Sequence, residues 1–108
     1  MEHTITSENG IMTVRLRGEM DHHNAAPLRE EIDAAVTFEN PTTLRLDLSQ
    51  IAFCDSSGLG FIMGRYRRMN ESGGSLVLVD PSEAAMKILK LAGVDRVLSF
   101  EMTKGAAK

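Results

Sequence analysis

Leu44-Arg45-Leu46-Asp47-Leu48, leading into Cys54-Asp55-Ser56-Ser57-Gly58-Leu59-Gly60, is the stretch on which the fold turns. Leucine at every second position is the period of a strand with one buried face. From Gly58 to Asn70 the period changes, so that Leu59, Ile62, Met63, Tyr66 and Met69 share one helical stripe closed by Gly73-Gly74. A strand therefore hands over to a helix across a short turn, the unit from which α/β sheets are built.

Downstream, Leu76-Val77-Leu78-Val79 is a short continuous apolar run, the pattern of a strand covered on both faces by helices. Asp80-Pro81-Ser82-Glu83 predicts a helix start with Asp80 as N-cap, Pro81 in the first helical position and Glu83 reaching back. That helix turns Ala85, Ile88, Leu89 and Ala92 inward and stops at Gly93, after which Val97, Leu98 and Phe100 read as a last strand. Upstream, Leu28, Ile32, Ala35 and Val36 line one helical face opposite Arg29, Glu30, Glu31 and Asp33, and Asn40-Pro41 ends the helix. Before it, Ile5 and then Met12, Val14 and Leu16 show the strand period, with Asn9-Gly10 between them as a hairpin turn. The order β-β-α-β-α-β-α-β describes one α/β domain over residues 1–108, with an N-terminal hairpin, a mixed, largely parallel sheet and covering helices. Residues 101–108 read as a short polar tail.

A chain of 108 residues, 43% hydrophobic and 25% charged, has room for one ordinary globular domain. Four Phe, one Tyr and no Trp argue against a base-stacking surface. Twelve basic against fifteen acidic residues give −3, the wrong sign for holding phosphate backbones, so no direct nucleic-acid partner is expected. The single cysteine, Cys54, cannot form an internal disulfide and fits a reducing compartment. Met1-Glu2-His3-Thr4 does not open a secretory signal, and no apolar run approaches the roughly 20 residues of a membrane span. The expectation is a cytoplasmic protein with no membrane partner.

Adjacent hydroxyls at a helix N-terminus, Ser56 and Ser57, face unpaired N–H groups and the positive end of the helix dipole. A serine there is a candidate phosphoacceptor, since added phosphate would be electrostatically welcome. The plainer account is that Asp55 or Ser56 caps the helix and the glycines permit a tight turn. Gly58, Gly60 and Gly64 miss the dinucleotide-loop spacing because Met63 holds the third glycine position, and neither serine has a glycine two residues before it, as a hydrolase elbow would require. Asp21-His22-His23-Asn24 reads as a capped polar loop, with Asp21 or Asn24 as the cap, rather than a metal site. Cys54, after Ile51-Ala52-Phe53, reads as a buried inert thiol. Arg65, Arg67 and Arg68 read mostly as a solvated face, and Phe61 as an off-stripe aromatic exposed beside Ser57.

Taken with Gly18-Glu19-Met20-Asp21-His22-His23 and Gly73-Gly74, the run Asp55-Ser56-Ser57-Gly58-Leu59-Gly60 resembles the bacterial anti-sigma factor antagonists, whose fold is the STAS domain. The likeness extends from the Asn9-Gly10 hairpin to Phe100. Gly64-Arg65-Tyr66 after the motif is similar to the sporulation branch of that family.

The resemblance implies a partner-switching regulator with no catalytic residue, cofactor or metal of its own. Its unphosphorylated form would bind an anti-sigma factor that is also a serine kinase, releasing the sigma factor for transcription. The kinase, supplying ATP and magnesium, would phosphorylate Ser57, and a serine phosphatase would reverse this. Asp21, Asp55, Ser56, Ser57, Gly58 and Leu59 would form the partner-facing surface. Phosphorylation would add about −1.5 to −2 charge with little refolding and disrupt binding by clash at the interface. Relatives commonly end in a further helix, for which residues 101–108, with Gly105 inside, are a poor sequence. Two other readings remain: a STAS module for ligand or nucleotide binding or scaffolding in a signalling or transport assembly, and a small hydrolase using Ser57, which lacks an assignable base.

Overall fold

The computed structural model describes residues 1–103. In chain order it contains β1 (Glu2–Glu8), β2 (Ile11–Met20), α1 (His22–Glu39), β3 (Thr43–Cys54), α2 (Ser56–Glu71), β4 (Ser75–Val79), α3 (Glu83–Leu91), a short 3₁₀ turn (Val94–Arg96) and β5 (Ser99–Glu101). The five strands lie side by side in sequence order, β1 antiparallel to β2 and the rest parallel. This is the expected α/β arrangement with its N-terminal hairpin. Asn9 and Gly10 adopt φ of 54° and 80°, the left-handed pair that a two-residue hairpin turn needs.

One sheet face carries Met12, Val14 and Leu16 of β2, Leu44, Leu46 and Leu48 of β3, and Leu76 and Leu78 of β4, all buried. They share a core with Leu28, Ile32 and Val36 of α1 and Ile62 and Met69 of α2. Asn40, at φ 51°, ends α1 in the left-handed conformation and returns its N–H to the Val36 carbonyl. Gly73, at φ 82°, ends α2, with Gly74 N donating to the Met69 carbonyl at 2.8 Å. Only Thr43–Asp47 of β3 pairs with β4, so Leu48–Cys54 runs on beside α3, and Ser82 N donates to the Leu48 carbonyl at 3.1 Å.

Several local expectations are corrected. The cap of α3 is Ser82, whose hydroxyl accepts from Ala85 N at 3.2 Å, not Asp80. Asp80 has φ 46°, incompatible with the extended backbone of an N-cap. Its N–H donates to the Glu101 carbonyl and its carboxylate accepts from the backbone and hydroxyl of Thr103, tying it to the chain after β5. Val97 and Leu98 precede the last strand: after Gly93, at φ 75°, their N–H groups return to the Val94 carbonyl, and Val97 is left 54% exposed. Nor does a helix cover each face of β4. On the face away from the core, Val77 and Val79 neighbour Arg45, Asp47 and Glu101. There Arg45 grips Glu101 through two hydrogen bonds, 3.0 and 2.7 Å, and Thr13 through a third, 2.9 Å. Of the expected polar tail, Glu101 belongs to β5 and residues 104–108 lie outside the described residues. No helix among the described residues is long and apolar enough to cross a membrane.

Candidate functional site

Because β2 and β3 are parallel, their carboxyl ends lie together, the place where open α/β sheets gather functional groups. Met20 pairs with Cys54, and Asp55 N approaches the Met20 carbonyl at 3.4 Å. Each strand is followed by an aspartate that caps the next helix. Asp21 Oδ1 accepts from His23 N and Asn24 N, both at 3.1 Å, and Asp55 Oδ1 accepts from Ser57 N at 2.8 Å and Gly58 N at 3.2 Å. The caps are therefore Asp21 and Asp55 rather than Asn24 and Ser56. Asn24 instead donates from its side chain to the Glu19 carbonyl at 2.8 Å.

The family resemblance implies one surface of Asp21, Asp55, Ser56, Ser57, Gly58 and Leu59, and the fold brings their two turns to the same end of the sheet. Ser56 is exposed, Asp21, Asp55, Ser57 and Leu59 are half-buried, and Gly58 is buried. A Cβ at Gly58 would lie 2.5 Å from Met20 Cγ, 2.6 Å from Cys54 Sγ and 2.9 Å from the Met20 carbonyl oxygen. Glycine here lets α2 start directly against the end of β2. One expectation changes: two of the first N–H groups of α2 are already held by the Asp55 carboxylate, so a phosphate on Ser57 meets a negative neighbour rather than an empty anion seat.

Helices α1 and α2 run parallel with their N-termini together, in a register shown by Asp33 facing Arg65 and Thr37 accepting from Arg68 at 2.8 Å. Between their N-terminal halves is a groove of about 340 Å³, lined by His22, Ala25, Ala26 and Arg29 from α1 and Ser57, Gly60 and Phe61 from α2. Phe61, expected to be exposed, is 4% exposed, because the inward stripe of α2 is Gly58, Phe61, Ile62, Arg65 and Met69. Leu59, Met63 and Tyr66 of the expected stripe are half-buried at its margin.

Arg65 is likewise not on a solvated face. Its side chain is 6% exposed, Nε lies 2.9 Å from Asp33 Oδ1, and the guanidinium carbon sits 5.1 Å from the Phe61 ring centre. The two paired atoms are off-line for a hydrogen bond, so the contact is a charge pair. Burial pushes the Arg65 pKa down, Asp33 opposes this, and Arg29, Arg68 and Arg67 add to the lowering. Cys54 is half-buried, its pKa pushed up to about 11 mainly by burial and then by the Asp55 charge, which leaves a protonated, unreactive thiol at neutral pH.

His22 and His23 meet edge to face at 5.5 Å, and among the described residues no group of three or more His, Cys, Asp or Glu is placed to hold a metal. A larger hollow, about 480 Å³, lies by the β1–β2 hairpin, where the Arg45 guanidinium is already held by Glu101 and Thr13. Of the groove residues, Ala25 and Ala26 escaped the sequence reading, and Arg29 stood there only as part of a polar helix face. Their trace was the helical spacing from His22, with two small side chains at one level.

The STAS domain model matches residues 3–107. The chain belongs to the STAS domain family. This STAS chain is 35% identical over 98 residues to an anti-sigma F factor antagonist of Paenibacillus polymyxa, covering 91% of this chain and 80% of that one. Its fold is similar to that of the anti-sigma factor antagonist SpoIIAA in its unphosphorylated form, with TM-score 0.81, 27% identity and coverage of 98% and 92% of the two chains. It is also similar to SpoIIAA, the Bacillus cell fate determinant, in its phosphorylated form, with TM-score 0.75, 27% identity and coverage of 98% and 96%.

Proposed function

We propose that this STAS protein is an anti-sigma factor antagonist switched by phosphorylation of Ser57, a regulator acting in the cytoplasm on sigma-dependent transcription, as in sporulation. The observation that carries the reading is the position of Ser57, a half-buried hydroxyl in the first turn of α2, beside a groove and between two capped helix starts. In this reading the unphosphorylated surface, Asp21 and Asp55 through Leu59, binds an anti-sigma factor that is also a serine kinase. The kinase supplies ATP, magnesium and the base. Ser57 Oγ forms a bond to the γ-phosphorus as the bond to the β-phosphate oxygen breaks, ADP leaves and the hydroxyl proton passes to the kinase.

Phosphate adds about −1.5 to −2 charge, beside the Asp55 carboxylate, on a chain whose net charge is −3. Repulsion and bulk at the docking surface then release the partner, and a serine phosphatase resets the cycle. This chain needs no cofactor of its own for any of these steps. The test is incubation with the purified anti-sigma factor kinase from the same organism and labelled ATP. Label is expected on the wild type and not on Ser57→Ala; equal label on the variant moves the site, with Ser56 next in line.

A further inference from the structure

The groove between α1 and α2 has a chemistry of its own. Its sides are small or apolar: Ala25 and Ala26 on α1, Gly60 and the Phe61 ring on α2. Its rim carries Arg29, an exposed cation that makes no hydrogen bond or ion pair among the described residues. Arg65, Arg67 and Arg68 follow on α2, close enough that Arg65 feels Arg29, Arg67 and Arg68 as repelling charges, and Asp33 is paired with Arg65 at 2.9 Å rather than with Arg29. On a chain of net charge −3 this is a local excess of positive charge. The neighbouring helix starts do not compete for an anion, because Asp21 and Asp55 already occupy their N–H groups.

We propose that this groove receives a segment of the anti-sigma factor that presents a carboxylate beside an apolar side chain, the carboxylate pairing with Arg29 and the apolar group lying against Phe61, Gly60 and the two alanines. The inference rests on the functional reading above and adds to it the chemistry of the partner. It also gives the switch a local cause: Ser57 lines the same groove, so its phosphate takes up the space and the cation that the partner segment uses.

The experiment is isothermal titration of the unphosphorylated chain with the same purified kinase, for the wild type, Arg29→Glu, Gly60→Leu and, as a control on an exposed face of α3 outside the groove, Lys90→Gln. Gly60 suits the steric variant because a Cβ there meets nothing within 4 Å, so added side chain fills the groove without disturbing the core. Both groove variants are expected to weaken binding at least tenfold and the control less than twofold. For Arg29→Glu the loss is expected to be partly reversed by an acidic-to-Arg substitution in the kinase. Wild-type binding that persists within twofold in both groove variants overturns the groove assignment alone. Absence of wild-type binding overturns the functional reading and the groove assignment with it.

Discussion

Gly58→Ala and Gly60→Ala place the same methyl group two residues apart on one helix and should have opposite effects. At Gly58 the new Cβ would sit 2.5 Å from Met20 Cγ, 2.6 Å from Cys54 Sγ and 2.9 Å from a backbone oxygen. Met20 is fully buried, so the methyl can be admitted only by moving β2 or the start of α2. Overpacking of this kind costs about 1–3 kcal/mol, against which replacing a helical glycine by alanine returns up to about 1 kcal/mol. The net loss is on the order of 1–2 kcal/mol. At Gly60 nothing lies within 4 Å, so only the helix-propensity gain remains, about 0.5–1 kcal/mol. For a domain of this size 1 kcal/mol shifts Tm by about 4–8 °C, so the two variants should melt roughly 10–20 °C apart, on either side of the wild type. Thermal unfolding followed by circular dichroism reads this directly. A Gly58→Ala protein melting at or above the wild type would refute the close approach of α2 to β2.

Three further outcomes follow from the same geometry. Asp55→Ala removes the acceptor for Ser57 N and Gly58 N and should lower stability by about 1 kcal/mol in urea unfolding, while Asp55→Asn retains most of it; equal losses would contradict the cap. Asp33→Ala strands the buried Arg65 guanidinium and should cost about 3 kcal/mol, the low end for a broken buried pair because Asp33 is one-third exposed, and more than Arg65→Met, which leaves a partly exposed carboxylate free to hydrate; the reverse order would show that the pair is not what holds α1 to α2. The Cys54 thiol keeps its proton to about pH 11 in the fold, whereas the unfolded chain loses it near 9.0. The unfolded state then binds fewer protons, so stability present below pH 9 should fall as pH rises towards 11, and Cys54→Ala should flatten that part of the pH profile.

Most of the element order was legible because it rests on period and punctuation. Alternating leucines in β3, the Asn9-Gly10 turn, and the stops at Asn40 and Gly73-Gly74 are local facts of backbone geometry. The inward stripe of α2 was misplaced for a definite reason: it passes through Gly58 and Arg65, and a pattern of apolar residues cannot see either. Glycine packs by having no side chain, and arginine is buried here only because Asp33 and the Phe61 ring, on separate helices, meet it. Asp80 looked like a cap because its neighbours Pro81 and Glu83 fit one. Its positive φ goes with its hydrogen bonds to Glu101, the end of β5, and to Thr103 just beyond it, partners that arrive about twenty residues later.

The candidate site divides along the same line. Sequence by itself determined that a strand ends in a capped turn bearing two serines, since capping and helix period need only near neighbours. Only the tertiary structure decided that the Asp21 turn lies beside the Asp55 turn, that Asp55 has already taken the N–H groups beside Ser57, and that Arg29 and Phe61 share a groove with that serine. Those facts depend on the parallel pairing of β2 with β3, which sets two helices side by side with their N-termini together, a relation between segments far apart in the chain.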